Sequence, residues 1–255
     1  MHGLPAMLVA IMSSSSNPDQ NSLTALTRAY ERYGLQATDW IENFTRQGGR
    51  VFCKSGCLHC CNLPIRVSLL EALLTASQLS GSQLESMRIR AHEIIGNARV
   101  ATSWDDYFSS HRSKIGYCPL LDQNTGACTA YEVRPGRCRD TFSAMDAHYC
   151  TVGTLETMNR RERLEYDRDV EANPATDGVT HYVAPLEDLG TNIWEVASGE
   201  MRSGWGFEIW GDFWVLTALT QDDAFMLAVR AGRVKRARTR AKAIGLWNVE
   251  ILEIG

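Results

Sequence analysis

Apolar residues recur at three- and four-residue intervals along NSLTALTRAYERYGLQATDWIENFTRQ, residues 21–47, and predict a helix that would break at Gly34. The periodicity then stops. GGRVFCKSGCLHCCNLP, residues 48–64, has the glycines, polar turn and closing proline of a loop. Ser68, with Glu71 three residues on, reads as a capping box opening a helix in LLEALLTASQL, and another helix is predicted over residues 82–99. In YCPLLDQNTGACTAY two short apolar segments flank the turn-rich DQNTG, so a small β-hairpin is predicted, with Pro119 keeping Cys118 out of helical geometry. Helical texture returns in TLETMNRRERLEYDRDVEA, a loop follows at ANPATDG, and the last sixty residues predict two or three more helices. There is no internal repeat, and no strand–helix alternation long enough for a parallel sheet. The fold expected is mainly α, with helices around a loop-rich cysteine metal centre and a small β-hairpin. Residues 1–20 read as a flexible N-terminal arm, 21–150 as a cysteine-rich metal-binding domain, and 151–255 as a helical region packed on it.

Composition changes this picture in one place. At 255 residues, 44% hydrophobic, the chain can bury a core without staples, and a formal charge of −4 argues against a general polyanion binder. Its eight cysteines, however, all fall between residues 53 and 150: Cys53, Cys57, Cys60, Cys61, Cys118, Cys128, Cys138 and Cys150. Disulfide scaffolds are small, secreted and denser in cysteine, and no basic n-region precedes the short apolar run at the start, so metal ligation is the better reading and the cytoplasm the expected compartment. Thiolates are soft ligands that select zinc, copper(I) or iron–sulfur clusters. Cys53, Cys57 and Cys60 form C-x3-C-x2-C, a spacing that lets one loop aim three sulfurs at a common centre. Neighbouring side chains diverge in extended chain, so Cys60 and Cys61 should not serve one metal atom; Cys61 either meets another or packs as a small hydrophobe. Cys118 and Cys128 flank the predicted hairpin turn and could face each other across it, and Cys138 follows RPGR. Such distant sulfurs would close a site opened by the first loop and tie the chain together.

The C-x3-C-x2-C spacing also resembles that of radical S-adenosylmethionine enzymes, but their repeated strand–helix texture is missing. A closer resemblance spans three segments: CKSGCLHCC, then CPLL, then GACTAYEVRPGRCR. Their order and spacing resemble the cysteine-cluster family of zinc- or iron-chelating proteins, on Cys53, Cys57, Cys60, Cys61, Cys118, Pro119, Gly126, Cys128, Tyr131, Arg134, Pro135, Cys138 and Arg139. The resemblance covers about residues 50 to 140 and implies a bound metal centre without one established reaction; its enzymatic relatives are flagellin lysine methylases, longer chains whose substrate site does not map here. Cys150 lies outside the pattern. Seven or eight thiols exceed what one tetrahedral zinc takes, which favours a 4Fe–4S cluster, with zinc as the alternative. Either centre carries a charge of about −2 that Arg134 and Arg139, and Arg137 beside them, would offset; the plainer reading pairs them with Glu132 or Asp140 on a surface turn.

Other features change the picture less. His59 and His148 read as loop residues, His181 as structural, and Tyr131 as a packing residue whose hydroxyl caps a neighbour. Trp210, Phe213 and Trp214 sit at helical spacing and read as a core stripe. RAGRVKRARTRAK, Arg230 to Lys242, carries seven basic residues and no acidic one; nucleic acid is a candidate partner, a solvated helix face the plainer account. No membrane-length apolar run, catalytic acid–base pair or nucleotide-binding motif is present; Asp105 and Asp106 are merely adjacent. Three functions remain open: a structural, redox or electron-transfer centre in a protein with a protein partner, a cluster-dependent enzyme such as a methyl transferase, or a metal-delivery protein.

Overall fold

A computed structural model describes residues 18–255. The arm read over residues 1–20 lies outside them up to residue 17, and its last three residues already belong to the first helix, α1 (Pro18–Arg46). The break at Gly34 does not occur. Nothing lies within 4 Å of the position a Cβ would take there, so α1 runs straight through it, at roughly the 1 kcal/mol that an interior glycine costs.

The elements that follow are β1 (Arg66–Ser68), α2 (Leu69–Ala76), α3 (Gly81–Val100), α4 (Trp104–Ser110), β2 (Leu121–Asp122), β3 (Ala127–Cys128), α5 (Gly136–Asp140), α6 (Thr154–Thr157), α7 (Arg160–Ala172), α8 (Ala184–Trp205), β4 (Ile209–Asp212), α9 (Phe213–Leu219), α10 (Asp223–Arg230), α11 (Val234–Ala243) and β5 (Leu252–Ile254). The fold is mainly α. The predicted capping box is present: Ser68 accepts from the Glu71 N–H while the Glu71 carboxylate accepts from Ser68. So is the hairpin, β2 pairing antiparallel with β3.

Two packing layers build the core. Leu26, Ala29, Tyr30, Tyr33 and Ala37 recur on one face of α1 and pack on α8, whose Ile193, Ala197, Met201 and Trp205 are buried in turn. The other layer is α3 on α9. Every residue of α9 is buried, as its unbroken FWVLTAL requires of a helix enclosed on all sides. Asp212 opens that helix, accepting the Trp214 and Val215 N–H groups at 2.9 and 3.1 Å. The aromatic stripe is therefore not one helix: Trp210 lies on β4, and only Phe213 and Trp214 are helical. A three-stranded antiparallel sheet in the order β1–β4–β5, not foreseen from sequence, joins residues 66–68 to the C-terminal region. It fixes the exit of the first cysteine loop against α9, for Phe213 N–H donates to Ile65 O at 3.1 Å.

No helix among the described residues is long and apolar enough to cross a membrane. The basic stripe is partly spent within the fold. Arg230 pairs with Asp19 and Arg240 with Asp222, Arg238 donates to the Ile254 carbonyl, and Lys242 lies 5.2 Å over the Trp247 ring.

Candidate metal centre

Tight turns shape the first cysteine loop. Cys57 N–H donates to Lys54 O at 3.0 Å, Cys61 N–H to Leu58 O at 3.0 Å and Leu63 N–H to Cys60 O at 3.1 Å. The hairpin lies directly against this loop. Cys118 N–H donates to Cys61 O at 2.8 Å, and Gly126, at φ +69°, approaches Gly56, at φ +81°, so closely that an added Cβ would strike the Gly56 carbonyl. This close approach accounts for the glycine of the G-x-C motif. Cys128 stands opposite Leu121 in the hairpin register, with Cys118 just before the strand. Cys138 sits on α5, anchored by the buried Glu71, whose carboxylate accepts the Gly136 N–H at 2.8 Å. Cys150 ends a short 3-10 turn, Ala147–Cys150. Arg112 ties that turn to the first loop, donating to Cys150 O at 2.7 Å and to Asn62 Oδ1 at 3.4 Å.

The sulfurs fall into two neighbouring sets. Cys53 feels Cys60 and Cys57; Cys150 feels Cys53, Cys60 and Cys57; Cys138 feels Cys118, Cys60 and Cys128; Cys118 feels Cys128. Cys60 is common to both sets, and its thiol hydrogen-bonds that of Cys61. Both cysteines lie in consecutive turns and not in extended chain. All eight thiols are free. Only Cys150 is buried as a whole residue, yet the thiols of Cys53, Cys60, Cys118 and Cys138 are shielded by their surroundings. Burial pushes Cys53 and Cys150 up to about 11 and Cys118 up to about 12, and raises Cys138 well above the ordinary thiol value. Cys60 is raised first by its bond to Cys61 and then by burial.

Cationic and hydrogen-bonding groups oppose this. Arg134 faces both Cys60 and Cys138, with its guanidinium 3.9 Å over the Tyr131 ring and donating to the Tyr131 hydroxyl at 3.3 Å. Arg139 lies near Cys138 too, but its donors go to the Arg134 and Glu132 carbonyls and its face to Tyr30, 4.2 Å away; it braces the RPGR turn. Arg137 bridges Asp140 and Glu187 at 3.5 and 3.2 Å, the plainer pairing read from sequence. Asp140 is buried beside Gly190, and burial raises it to about 7. His59 contacts Thr151 at 3.5 Å, and the His148 ring is tilted against that of Tyr149 with centroids 5.3 Å apart.

Three partners of the thiols were missed in the sequence. The Ser143 N–H donates to Cys53 Sγ at 3.2 Å. The Trp214 indole N–H is directed at Cys118, with the buried His111 ring stacked on it at 4.9 Å. His181, read as structural, has Nε2 3.3 Å from Cys150 Sγ; burial, with Arg112 nearby, holds it neutral with its pKa down to about 4. Each comes from a segment remote in sequence and carries no motif of its own.

The chemistry of the donor set, eight soft sulfurs with Arg134 near Cys60 and Cys138, fits a thiophilic metal centre. The sulfurs as placed do not surround a common point: among the described residues, no three His, Cys, Asp or Glu side chains are grouped so as to hold a metal ion. No curated protein and no solved structure matches the chain. Residues 52–163 match the CxxCxxCC family model, described as "putative zinc- or iron-chelating domain", which supports metal binding. The segment that carries all eight cysteines is thus similar to the domain of the CxxCxxCC family.

Proposed function

We propose that the protein binds a metal centre through Cys53, Cys57, Cys60, Cys61, Cys118, Cys128, Cys138 and Cys150, that this centre is a 4Fe–4S cluster in preference to zinc, and that it serves a structural, redox or electron-transfer role in a protein with a protein partner. The observation that carries the reading is that free thiols from three stretches of chain fall into two neighbouring sets sharing Cys60, with Cys53, Cys57 and Cys150 in one and Cys118, Cys128 and Cys138 in the other, and with Arg134 near Cys60 and Cys138. Eight thiols exceed the four that one zinc takes, whereas iron–sulfur clusters take cysteine thiolates at several corners. A bound cluster would supply one-electron chemistry. The chain's own residues would supply thiolates, a guanidinium against their negative charge, and N–H groups from Ser143 and Trp214 to sulfur. Eight reduced thiols suit a reducing compartment, and we place the protein in the cytoplasm.

Anaerobic purification followed by absorption spectroscopy, iron and acid-labile sulfide analysis and zinc analysis on one sample tests this. Visible absorption with matched iron and sulfide is the result expected. Stoichiometric zinc in a colourless protein would replace the cluster by a structural thiolate site; a protein that takes up neither would overturn the reading.

A further inference from the structure

Cys150 differs from the other seven cysteines in its partners. Its Sγ lies 3.3 Å from His181 Nε2, and His181 Nδ1 lies 2.9 Å from the Tyr166 hydroxyl. All three residues are buried. The Tyr166 hydroxyl can donate its proton to Nδ1. A neutral imidazole that accepts at Nδ1 carries its proton on Nε2. In that tautomer the Nε2 N–H points at the Cys150 sulfur.

The main chain supports the same arrangement. Residues 142–144 pair antiparallel with 181–183, through Ala144 N–H to His181 O and Val183 N–H to Phe142 O, both at 2.9 Å. Within that ladder Ser143 donates to Cys53 Sγ at 3.2 Å and accepts the Phe52 N–H at 2.9 Å. One short ladder thus places the first cysteine and the residue that contacts the last. A catalytic Cys–His pair would need an accessible, readily ionised thiol; Cys150 is buried and faces other thiols.

We propose that His181, oriented by Tyr166, is the positioning residue that directs the Cys150 sulfur into the group begun by Cys53, Cys57 and Cys60, making Cys150 a ligand and not a spectator thiol. This rests on the metal-centre reading above. An N–H donated to a ligating sulfur favours its charged form and fixes its direction, and losing such a partner costs about 10–100-fold in metal affinity.

Cobalt(II) is the probe, because its sulfur-to-metal charge-transfer absorption grows with the number of thiolates bound. Full-length wild type, Cys150→Ser, His181→Leu, His181→Gln and Tyr166→Phe would be titrated after their folding is checked by circular dichroism. Cys150→Ser is expected to lower the charge-transfer intensity. His181→Leu should weaken cobalt binding about 10–100-fold, with Gln, which retains an N–H donor, recovering most of that loss; Tyr166→Phe should weaken it by a smaller factor. Full charge-transfer intensity and affinity in folded Cys150→Ser and Tyr166→Phe, with only thermal stability reduced, would overturn the inference while leaving the metal centre standing. Should His181→Leu fail to fold, these two variants still decide. A wild type that binds no cobalt, zinc or iron overturns both readings, so the two failures are told apart by the wild-type titration alone.

Discussion

Gly126→Ala separates the two reasons for a glycine at that position. The residue sits at φ +69°, where an L side chain costs about 1–2 kcal/mol. A methyl group there would also strike the Gly56 carbonyl oxygen and lie 2.8 Å from its carbon and 2.9 Å from Gly56 Cα, against 3.4 Å where ordinary contact begins. Both obstacles are backbone and cannot rotate away, so the hairpin and the first cysteine loop must part by several tenths of an ångström. Overpacking of this kind costs typically about 1–3 kcal/mol, for a total of about 2–5 kcal/mol. Gly178→Ala is the control: its φ is +78°, and nothing lies within 4 Å, so it should lose about 1–2 kcal/mol alone. Urea denaturation of both variants gives the comparison, and metal titration shows whether parting the loops weakens the centre. Equal stability losses in the two variants would refute the close-approach argument; a large loss confined to Gly126→Ala, with weaker metal binding, is expected.

Metal affinity should rise with pH. The metal-free thiols of Cys53, Cys118 and Cys150 have pKa values raised by burial to about 11–12, so from pH 6 to 9 metal must displace their protons; affinity gains up to about tenfold per pH unit for each proton released, and a chelator competition that is flat across this range would refute it. Glu71→Ala should cost about 3 kcal/mol or more in denaturation experiments, because it strands the buried Ser68 and Gly136 N–H groups; Glu71→Gln, keeping an acceptor, should cost less, and equal losses would contradict the role of the carboxyl oxygens. The basic stripe should bind duplex DNA weakly. Arg230, Arg240 and Arg238 are engaged and Lys242 covers Trp247, leaving Arg233, Lys235 and Arg236, so a plot of log affinity against log salt should be no steeper than about −2.7, and a steeper slope would show that the internal pairs open.

What could be read from the chain was what depends on near neighbours. Ser68 and Glu71 stand three residues apart, the spacing that a capping box demands, and the box formed. DQNTG, between short apolar segments, marked the hairpin because turn chemistry is local. The β1–β4–β5 sheet escaped because its strands are three or four residues long and come from residues 66–68, 209–212 and 252–254; no alternation can be recognised over so few positions. Trp210 reads as helical for the same reason. Its neighbour Gly211 tells the difference in the fold, since a Cβ there would lie 2.8 Å from Ile251 O across the sheet, but that closeness is invisible in the sequence. The cysteines were legible as a pattern, whereas their partners were not. His181 lies 31 residues from Cys150, and a lone histidine in a loop announces nothing.

The helical frame and the cysteine loops depend on each other through electrostatics. Thiols shielded from water resist ionisation, and each thiolate formed would raise the cost of the next. Cys60 and Cys138 have one guanidinium facing both, that of Arg134, and Cys118 has Arg90. Arg139 also lies near Cys138, but these few cations do not offset burial at Cys53, Cys60, Cys118, Cys138 and Cys150, whose thiols keep raised pKa values until a multivalent cation replaces their protons. The loops that carry them are mostly turns with little apolar core of their own, and their positions come from outside: Glu71 on α2 holds Gly136, Arg112 holds Cys150, and the 181–183 segment holds Ser143. On the proposed reading, the frame brings the thiols together as acids and the metal converts them to ligands. Stability added by the metal then passes into the frame through those same hydrogen bonds. Trp214 and His181 lie beyond residue 163, outside the matched domain, yet both address its sulfurs. On the proposed reading, α9 and the loop before α8 are for that reason part of the site and not an appendage to it.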